Sequence, residues 1–142
     1  YKGKLYVGGD IGDNKGMSSW DGSMFSEMPG YVDNFGMSIP TNLIAYDSLL
    51  IATGISSVGN IAAFNGASWS MFYSGGNGIK GTFTTSASSG NNLYVAGSFI
   101  YAGDVKVNNI AKWNGTTWSA LGSGLNGTIN SIFVEGDTVY AG

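Results

Sequence analysis

A short motif that ends in glycine recurs along the chain at a nearly constant spacing. Its four copies are "LYVGG" (5–9), "LIATG" (50–54), "LYVAG" (93–97) and "TVYAG" (138–142), with starts 45, 43 and 45 residues apart. Internal similarity at a period of about 20–50 residues is the pattern of solenoids, propellers and other repeat arrays. The repeat therefore restricts the possible folds more than any other feature of the sequence.

Two further landmarks follow each of the first three copies in a fixed order. The first is an aromatic–polar–glycine triplet, and the second is another aromatic residue five positions after the first aromatic. These landmarks are "WDG" (20–22) with Phe25, "FNG" (64–66) with Trp69, and "WNG" (113–115) with Trp118. We predict one domain over 1–142, with units at about 1–45, 46–89 and 90–134, and with 135–142 beginning or closing a further unit.

The local patterns inside a unit are those of β-strands. The third unit contains four short runs rich in β-branched and aromatic residues: "NLYVAGSF" (92–99), "NNIAKWN" (108–114), "TTWSALG" (116–122) and "GTINSIFV" (127–134). Asn114-Gly115 suits a type I′ hairpin turn, and no window sustains a helical period. Four strands in about 45 residues favour an all-β fold built from the four-stranded antiparallel blades of a β-propeller.

The paired aromatic residues have two interpretations. As cross-strand neighbours they would fill the space between successive sheets, and as exposed rings they would stack on sugars. Recurrence in every unit favours packing for all six: Trp20, Phe25, Phe64, Trp69, Trp113 and Trp118. The run "TFTTSASS" (82–89) consists mostly of small residues, so we predict that it is an innermost strand.

Composition excludes several functions. The chain has six Lys, no Arg and nine acidic residues, and it contains neither His nor Cys. Sparse positive charge argues against a nucleic-acid partner, whose binding depends on phosphate neutralisation. Without His or Cys, Ser-His-Asp and Cys-His catalysis, thiolate metal sites and disulfides are impossible. We therefore predict a protein that is not an enzyme and has no cofactor or metal.

Other properties concern location. No apolar run approaches the ~18 residues of a membrane-spanning helix, so we predict no membrane insertion. β-Rich sequences with abundant Ser, Thr, Asn and Gly favour an extracellular, virion or cell-surface location. The opening at Tyr1, without a charged leader, is typical of a mature product or an excised piece.

One variable segment is the best candidate for ligand contact. The run "SFIYAGDVKVNN" (98–109) is the longest insertion between predicted strands, and it carries Phe99, Tyr101, Asp104 and Lys106. Loops on one face of a scaffold commonly carry binding residues, so we predict that these four contact a ligand.

Two other polar segments have plainer interpretations. Asp10, Asp13 and Asn14 could bind calcium, but their spacing lacks the EF-hand pattern and favours a β-turn. The glycine-rich segment 73–81 lacks the following helix of a phosphate cradle, so we predict a loop between strands.

The third unit resembles the repeat of Kelch-like, galactose-oxidase-like propellers. It is most similar to the repeats of cortical polarity-marker-like proteins and related bacterial and viral surface proteins. The first unit departs from this pattern at Phe25 and the second at Phe64, where the third has Trp118 and Trp113. The resemblance implies a propeller of four-stranded blades and implies no activity, because this fold hosts enzymes, lectins and scaffolds.

Three blades do not close a ring, since propellers have four to eight blades. We therefore predict a homodimer that forms a six-bladed propeller, in which 128–134 completes the first blade of a neighbouring copy. Residues 1–9 and 134–142 are equivalent, so either one copy is displaced at each junction or the natural protein is longer. Function is left with two candidates, a self-assembling interaction scaffold for a protein partner and a lectin for carbohydrate; carboxylate-based hydrolysis has little support.

Overall fold

The structure, a computed structural model, describes residues 1–11, 14–28, 40–54, 61–72 and 78–142. Within these ranges all regular structure is β, which confirms the predicted all-β antiparallel fold. The strands are β1 (Leu5–Ile11), β2 (Asn14–Trp20), β3 (Phe25–Glu27), β4 (Pro40–Tyr46), β5 (Leu49–Gly54), β6 (Ile61–Phe64), β7 (Trp69–Met71), β8 (Ile79–Ser89), β9 (Asn92–Ala102), β10 (Val105–Lys106), β11 (Ile110–Trp113), β12 (Trp118–Ala120), β13 (Ile132–Glu135) and β14 (Thr138–Ala141). The described part contains no helix that could cross a membrane.

The strands form four antiparallel sheets. Sheet 1 has the order β1-β2-β3, sheet 2 β4-β5-β6-β7, and sheet 4 only β13-β14. Sheet 3 has the order β8-β9-β11-β12, with β10 pairing the far end of β9. The last strand of each sequence unit thus begins the next sheet. Among the described strands, β1 is an edge strand of sheet 1 and β14 is an edge strand of sheet 4.

Equivalent positions in the sheets are defined by their first hairpin turns. Lys2, Asp47, Gly90 and Gly136 each adopt positive φ, at 49°, 50°, 54° and 58°. Counting from these turns, Val139 corresponds to Leu93, Leu50 and Leu5. The sequence alignment, which matched the final glycines, placed the fourth copy one residue out of register and was wrong at this point. The turn fixes strand register, whereas glycine at a strand end does not.

Successive sheets pack face to face through alternating residues. Ile51 of β5 joins a core shared with sheet 3, whereas its neighbours Leu50 and Ala52 join a core shared with sheet 1. A third core lies between sheets 3 and 4 and includes Tyr94 and Ile132. This alternation follows from the period of two along a strand. Sheet 2 and sheet 3 are therefore apolar on both faces.

The first strands of sheets 2, 3 and 4 lie beside one another and are linked by small polar side chains. Ser86 Oγ contacts the Asn42 side-chain oxygen at 3.3 Å, and Ser88 Oγ donates to the Ala45 carbonyl at 3.2 Å. On the other side, Ser89 Oγ donates to the Gly136 carbonyl at 3.1 Å. The small residues of β8 thus allow close approach of both neighbours.

The aromatic triplets of the sequence begin four-residue turns that share one design. The Asn114 side-chain oxygen accepts hydrogen bonds from the amides of Thr116 (3.0 Å) and Thr117 (2.8 Å), and Asn65 and Asp21 cap their turns in the same way. The predicted type I′ turn was wrong, because Gly115 has positive φ and Asn114 does not. The Asn side chain replaces one of the turn's backbone hydrogen bonds, which makes positive φ at Asn114 unnecessary.

Candidate functional site

The predicted ligand loop is largely a β-hairpin. β9 continues to Ala102, turns at Gly103 and Asp104, and returns as β10, so the loop prediction was wrong for 98–102 and 105–106. Gly103 has a φ of 58°, which a tight turn requires and glycine adopts at no steric cost. The hairpin extends sheet 3 beyond the part of β9 that pairs with β11. It therefore presents its side chains on a rigid element.

A β-bulge separates the four predicted ligand residues. Ile100 is the extra residue of β9, between the pairs Phe99–Gly81 and Tyr101–Lys80. Phe99 is only 2% exposed and belongs to the core between sheets 2 and 3, so it packs rather than contacts a ligand. Tyr101 is half-buried, and Asp104 and Lys106 are exposed at the hairpin tip. No local sequence pattern predicts that a bulge redirects these side chains.

The bulge produces a row of one aromatic and two cationic side chains. Tyr101 lies opposite Lys80 on β8 and opposite Lys106 on β10, so all three share one face of the sheet. The Lys80 ammonium lies 5.9 Å from the centre of the Tyr101 ring, within the range of a cation–π contact. An aromatic surface flanked by two ammonium groups suits a ring-shaped ligand that carries negative charge.

Lys80 is the member of this row that the sequence analysis missed. It lies within the glycine-rich segment 73–81, for which we predicted a loop; residues 73–77 lie outside the described residues, and the prediction was wrong for 79–81. The remaining residues from Ile79 onward belong to β8. Only the pairing of β8 with β9 brings Lys80 to Tyr101, so no local sequence signal could have found it.

Asn109 ties the base of the hairpin to the following segment. Its side-chain oxygen accepts from the Phe99 amide at 3.1 Å, and its Nδ2 donates to the carbonyls of Leu125 (2.7 Å) and Gly127 (3.0 Å). Its φ of 64° is a left-handed conformation that Asn tolerates better than most residues. The base of the hairpin is therefore held by a side chain that both accepts and donates hydrogen bonds through its amide.

A second concave surface lies between sheets 1 and 2. This cleft of about 370 Å³ is bordered by Lys2, Lys4, Tyr6, Glu27 and Phe64, among others. Lys2 Nζ donates to the Asn65 carbonyl at 2.8 Å, whereas Lys4 does not take part in that bond. With charges of both signs at its rim, the cleft favours neither anions nor cations as clearly as the hairpin row.

The residues that could bind calcium lie largely outside the described part of the chain. Asp13 and the side chains of Asp10 and Asn14 lie outside the described residues. In the part of the chain that is described, no three metal-ligating side chains of the His, Cys, Asp and Glu types cluster together.

Two described side chains have clearly displaced pKa values, and both have structural causes. Hydrogen bonds from the backbone of Met24 and Ser23 lower the pKa of Asp21 to about 2. Burial, and then the charge of Asp47, raise the pKa of the Tyr46 phenol. Both groups are used in a turn or between sheets rather than in a cleft that could hold a substrate.

The outer faces of sheets 1 and 4 expose apolar side chains. On sheet 1, Leu5 and Phe25 are each 59% exposed, and on sheet 4, Phe133 and Tyr140 are 63% and 53% exposed. Leu5, Trp20 and Phe25 lie opposite one another in register, and the Trp20 and Phe25 ring centres are 4.8 Å apart. The predicted cross-strand pairing of the aromatic residues is thus present, but this first pair has no neighbouring described sheet.

The other two aromatic pairs occupy the same register and are covered. Phe64 lies opposite Trp69, and Trp113 lies opposite Trp118, with ring centres 5.1 and 5.2 Å apart. Phe64 and Trp69 pack against sheet 1, whereas Trp113 and Trp118 pack against sheet 2. Each pair therefore faces the preceding sheet.

Compared with known proteins, this chain matches no family model, no curated protein and no solved structure.

Proposed function

We propose that this chain is a non-enzymatic β-propeller interaction module whose copies assemble with one another into a closed ring. The observation that carries the proposal is the pair of exposed apolar end faces on a row of sheets that otherwise bury both faces. Leu5 and Phe25 mark one end, and Phe133 and Tyr140 mark the other. Large exposed apolar patches on a soluble protein commonly mark interaction surfaces.

The arrangement of the sheets supports blades in particular. Sheet 2 has the up-and-down order of a four-stranded blade, and sheet 3 has the same order with one added hairpin. Their first strands lie side by side, as inner strands do around a propeller axis. Sheet 1 supplies strands equivalent to the second, third and fourth of a blade, and β13 supplies a first strand. Two copies joined in this way make six blades, which is within the range of closed propellers.

Small-angle X-ray scattering tests the closed ring. A compact dimer of two 142-residue chains has a radius of gyration of about 19 Å, whereas a compact single chain has about 14 Å. We expect a value near the former that does not rise with concentration. A value that grows steadily with concentration would indicate an open filament and would contradict ring closure.

A second candidate function is carbohydrate binding, because of the row Lys80, Tyr101 and Lys106. Aromatic rings stack on sugar rings, and ammonium groups pair with carboxylates, so an acidic glycan fits this row. Calorimetric titration with a tetramer of galacturonic acid tests it, with a neutral cello-oligosaccharide as the matched ligand. Binding of the acidic tetramer that Tyr101→Ala abolishes would favour a lectin. Equal heats of binding for the acidic and the neutral ligand would count against a lectin.

A further inference from the structure

One contact occurs twice between successive sheets. A row of leucine and two aromatic residues on one sheet covers two apolar residues at the outer part of the preceding sheet. The row Leu50–Phe64–Trp69 covers Met17 and Met28, and the row Leu93–Trp113–Trp118 covers Ile61 and Phe72. Phe72 and Trp113 meet edge to face, with ring centres 5.5 Å apart. We call these the aromatic row and the receiving pair.

The described residues contain one more aromatic row and one more receiving pair. No described sheet covers the row, whereas sheet 4 and Ile129 already bury Ile110 of the pair, which no described aromatic row contacts. The spare row is Leu5–Trp20–Phe25, which lies on the outer face of sheet 1. The spare receiving pair is Ile110 and Leu121, which occupy the positions of Ile61 and Phe72 on sheet 3.

A cavity lies beside the spare receiving pair. It has a volume of about 180 Å³ and is lined by Ile110, Leu121, Leu125, Val139 and Ala141, together with Gly124. Every side chain in its lining is apolar. In the two covered contacts, the corresponding space is filled by the aromatic side chains of the third and fourth strands. Sheet 4 provides no such strands among the described residues.

We infer that the aromatic row of one copy seats in the cavity beside Ile110 and Leu121 of a second copy, an inference that rests on the proposed self-assembly. Trp20 then contacts Leu121 as Trp113 contacts Phe72. Because the row and the cavity lie on opposite ends of the chain, two copies related by a twofold axis satisfy both sites. The occupant is a second copy because the same chemistry already forms this contact twice within one chain.

Strand positions determine what happens to β14. Leu5 and Val7 are the register equivalents of Val139 and Ala141, so β1 of the incoming copy and β14 compete for one place beside β13. β14 is a four-residue strand that pairs only with β13, whereas β1 brings β2 and β3 with it. The incoming strand therefore replaces β14, and Leu5 of the incoming copy takes the place that Val139 holds in the cavity wall. Backbone amides of 138–141 then exchange faster with solvent in the assembled protein than in the monomer.

Charged substitutions test the contact through complementation. Trp20→Glu removes the central ring of the row, and Leu121→Lys places a cation in the receiving pair. A dimer formed by either variant alone contains the substitution at both of its junctions. We expect each altered junction to raise the dimer dissociation constant by about thirtyfold or more, as does the loss of a central tryptophan from an interface. Ile100→Glu is the matched control, because Ile100 is 59% exposed and belongs to neither the aromatic row nor the cavity lining.

An equimolar mixture of the two variants separates this contact from general loss of stability. A mixed dimer has one Glu–Lys junction and one unaltered junction, so we expect sedimentation velocity to show dimers again in the mixture only. Leu125→Lys repeats the test at an exposed position of the cavity if Leu121→Lys alters the circular dichroism spectrum. Persistent dimers of both single variants, or a mixture that stays monomeric, would overturn the contact while leaving self-assembly intact. A wild-type chain that is itself monomeric would overturn self-assembly and this inference together.

Discussion

The Tyr46 phenol donates a hydrogen bond to the backbone carbonyl of Asn91, 2.9 Å away, and thereby ties the end of β4 to the first turn of sheet 3. One sheet earlier, the equivalent phenol of Tyr1 donates to the carbonyl of Ser48. The same bond thus links two successive pairs of sheets. It orients each sheet relative to the next, in addition to the apolar contacts between their faces.

Replacement of Tyr46 by phenylalanine tests this link. Tyr46→Phe keeps the buried ring and removes only the donor, so we expect the free energy of unfolding to fall by about 1 kcal/mol. Urea denaturation followed by tryptophan fluorescence measures the loss. Tyr101→Phe, a half-buried tyrosine that lies on neither end face, is the control and should leave the midpoint unchanged. Equal midpoints for wild type and Tyr46→Phe would show that the bond contributes nothing.

The same residue predicts a loss of stability at high pH. The pKa of Tyr46 is raised above 10.0 in the folded chain by burial and by Asp47, so above pH 10 the unfolded chain releases this proton more readily. Folding is therefore favoured below pH 10 and weakened as the pH rises through the folded pKa. We expect Tyr46→Phe to flatten this decline in melting temperature between pH 9 and about 11. A decline that is unchanged in the variant would assign it to other groups.

Asp21 makes the opposite prediction at low pH. Its pKa falls from 3.8 to about 2 on folding, because the amides of Met24 and Ser23 donate to its carboxylate. The contribution of this group to stability is present above pH 3.8 and is lost as the pH falls towards 2. Asp21→Asn keeps an acceptor oxygen, so we expect a smaller change in melting temperature over this interval. The control is Asp137→Asn in the turn between β13 and β14; an identical acid response of wild type and Asp21→Asn would refute the prediction.

Gly97 allows the close pairing of β8 and β9. A Cβ at this position would overlap the Thr82 carbonyl oxygen and approach Phe83 Cα at 3.0 Å, and both are backbone atoms that cannot move aside. We expect Gly97→Ala to lower the free energy of unfolding by about 1–3 kcal/mol. Gly127→Ala adds the same methyl group where nothing lies within 4 Å. Chemical denaturation of the two variants should separate them, and equal stabilities would contradict the close pairing.

Asn109 combines a left-handed backbone with three side-chain hydrogen bonds. Asn109→Ala removes the bonds and retains a Cβ at positive φ, so we expect a loss of about 2–4 kcal/mol. Asn109→Gly removes the same bonds but relieves the backbone, and its loss should be smaller. The difference between the two denaturation midpoints measures the backbone cost. If neither variant is destabilised, the side chain does not hold the hairpin.

The repeat in the sequence predicted strands well where turns and side-chain alternation agree. β11 and β12 each fall within a predicted strand, β9 begins at the predicted Asn92 but continues to Ala102, and the cross-strand pairing of Trp113 with Trp118 follows from their spacing across a turn. The predicted strand 127–134 begins later, at Ile132, because Ile129 and Asn130 bond to Gly97 and Gly142 outside a strand ladder. Such long-range partners have no local signal.

The candidate site depended on features that the sequence does not encode locally. The bulge at Ile100 directs Phe99 inward and Tyr101 outward. In a regular strand without the bulge, these two residues would lie on the same face. Lys80 reaches Tyr101 only through strand pairing over about 20 residues. The two end faces, by contrast, were predictable in kind, since a row of apolar sheets needs a cover at both ends.

Light scattering after size exclusion tests the central claim, self-assembly of this chain through its end faces, most directly. The chain has a mass of 14.7 kDa, and the account predicts a single species of twice that mass at micromolar concentration. A mass that stays at 14.7 kDa as the concentration is raised would contradict it.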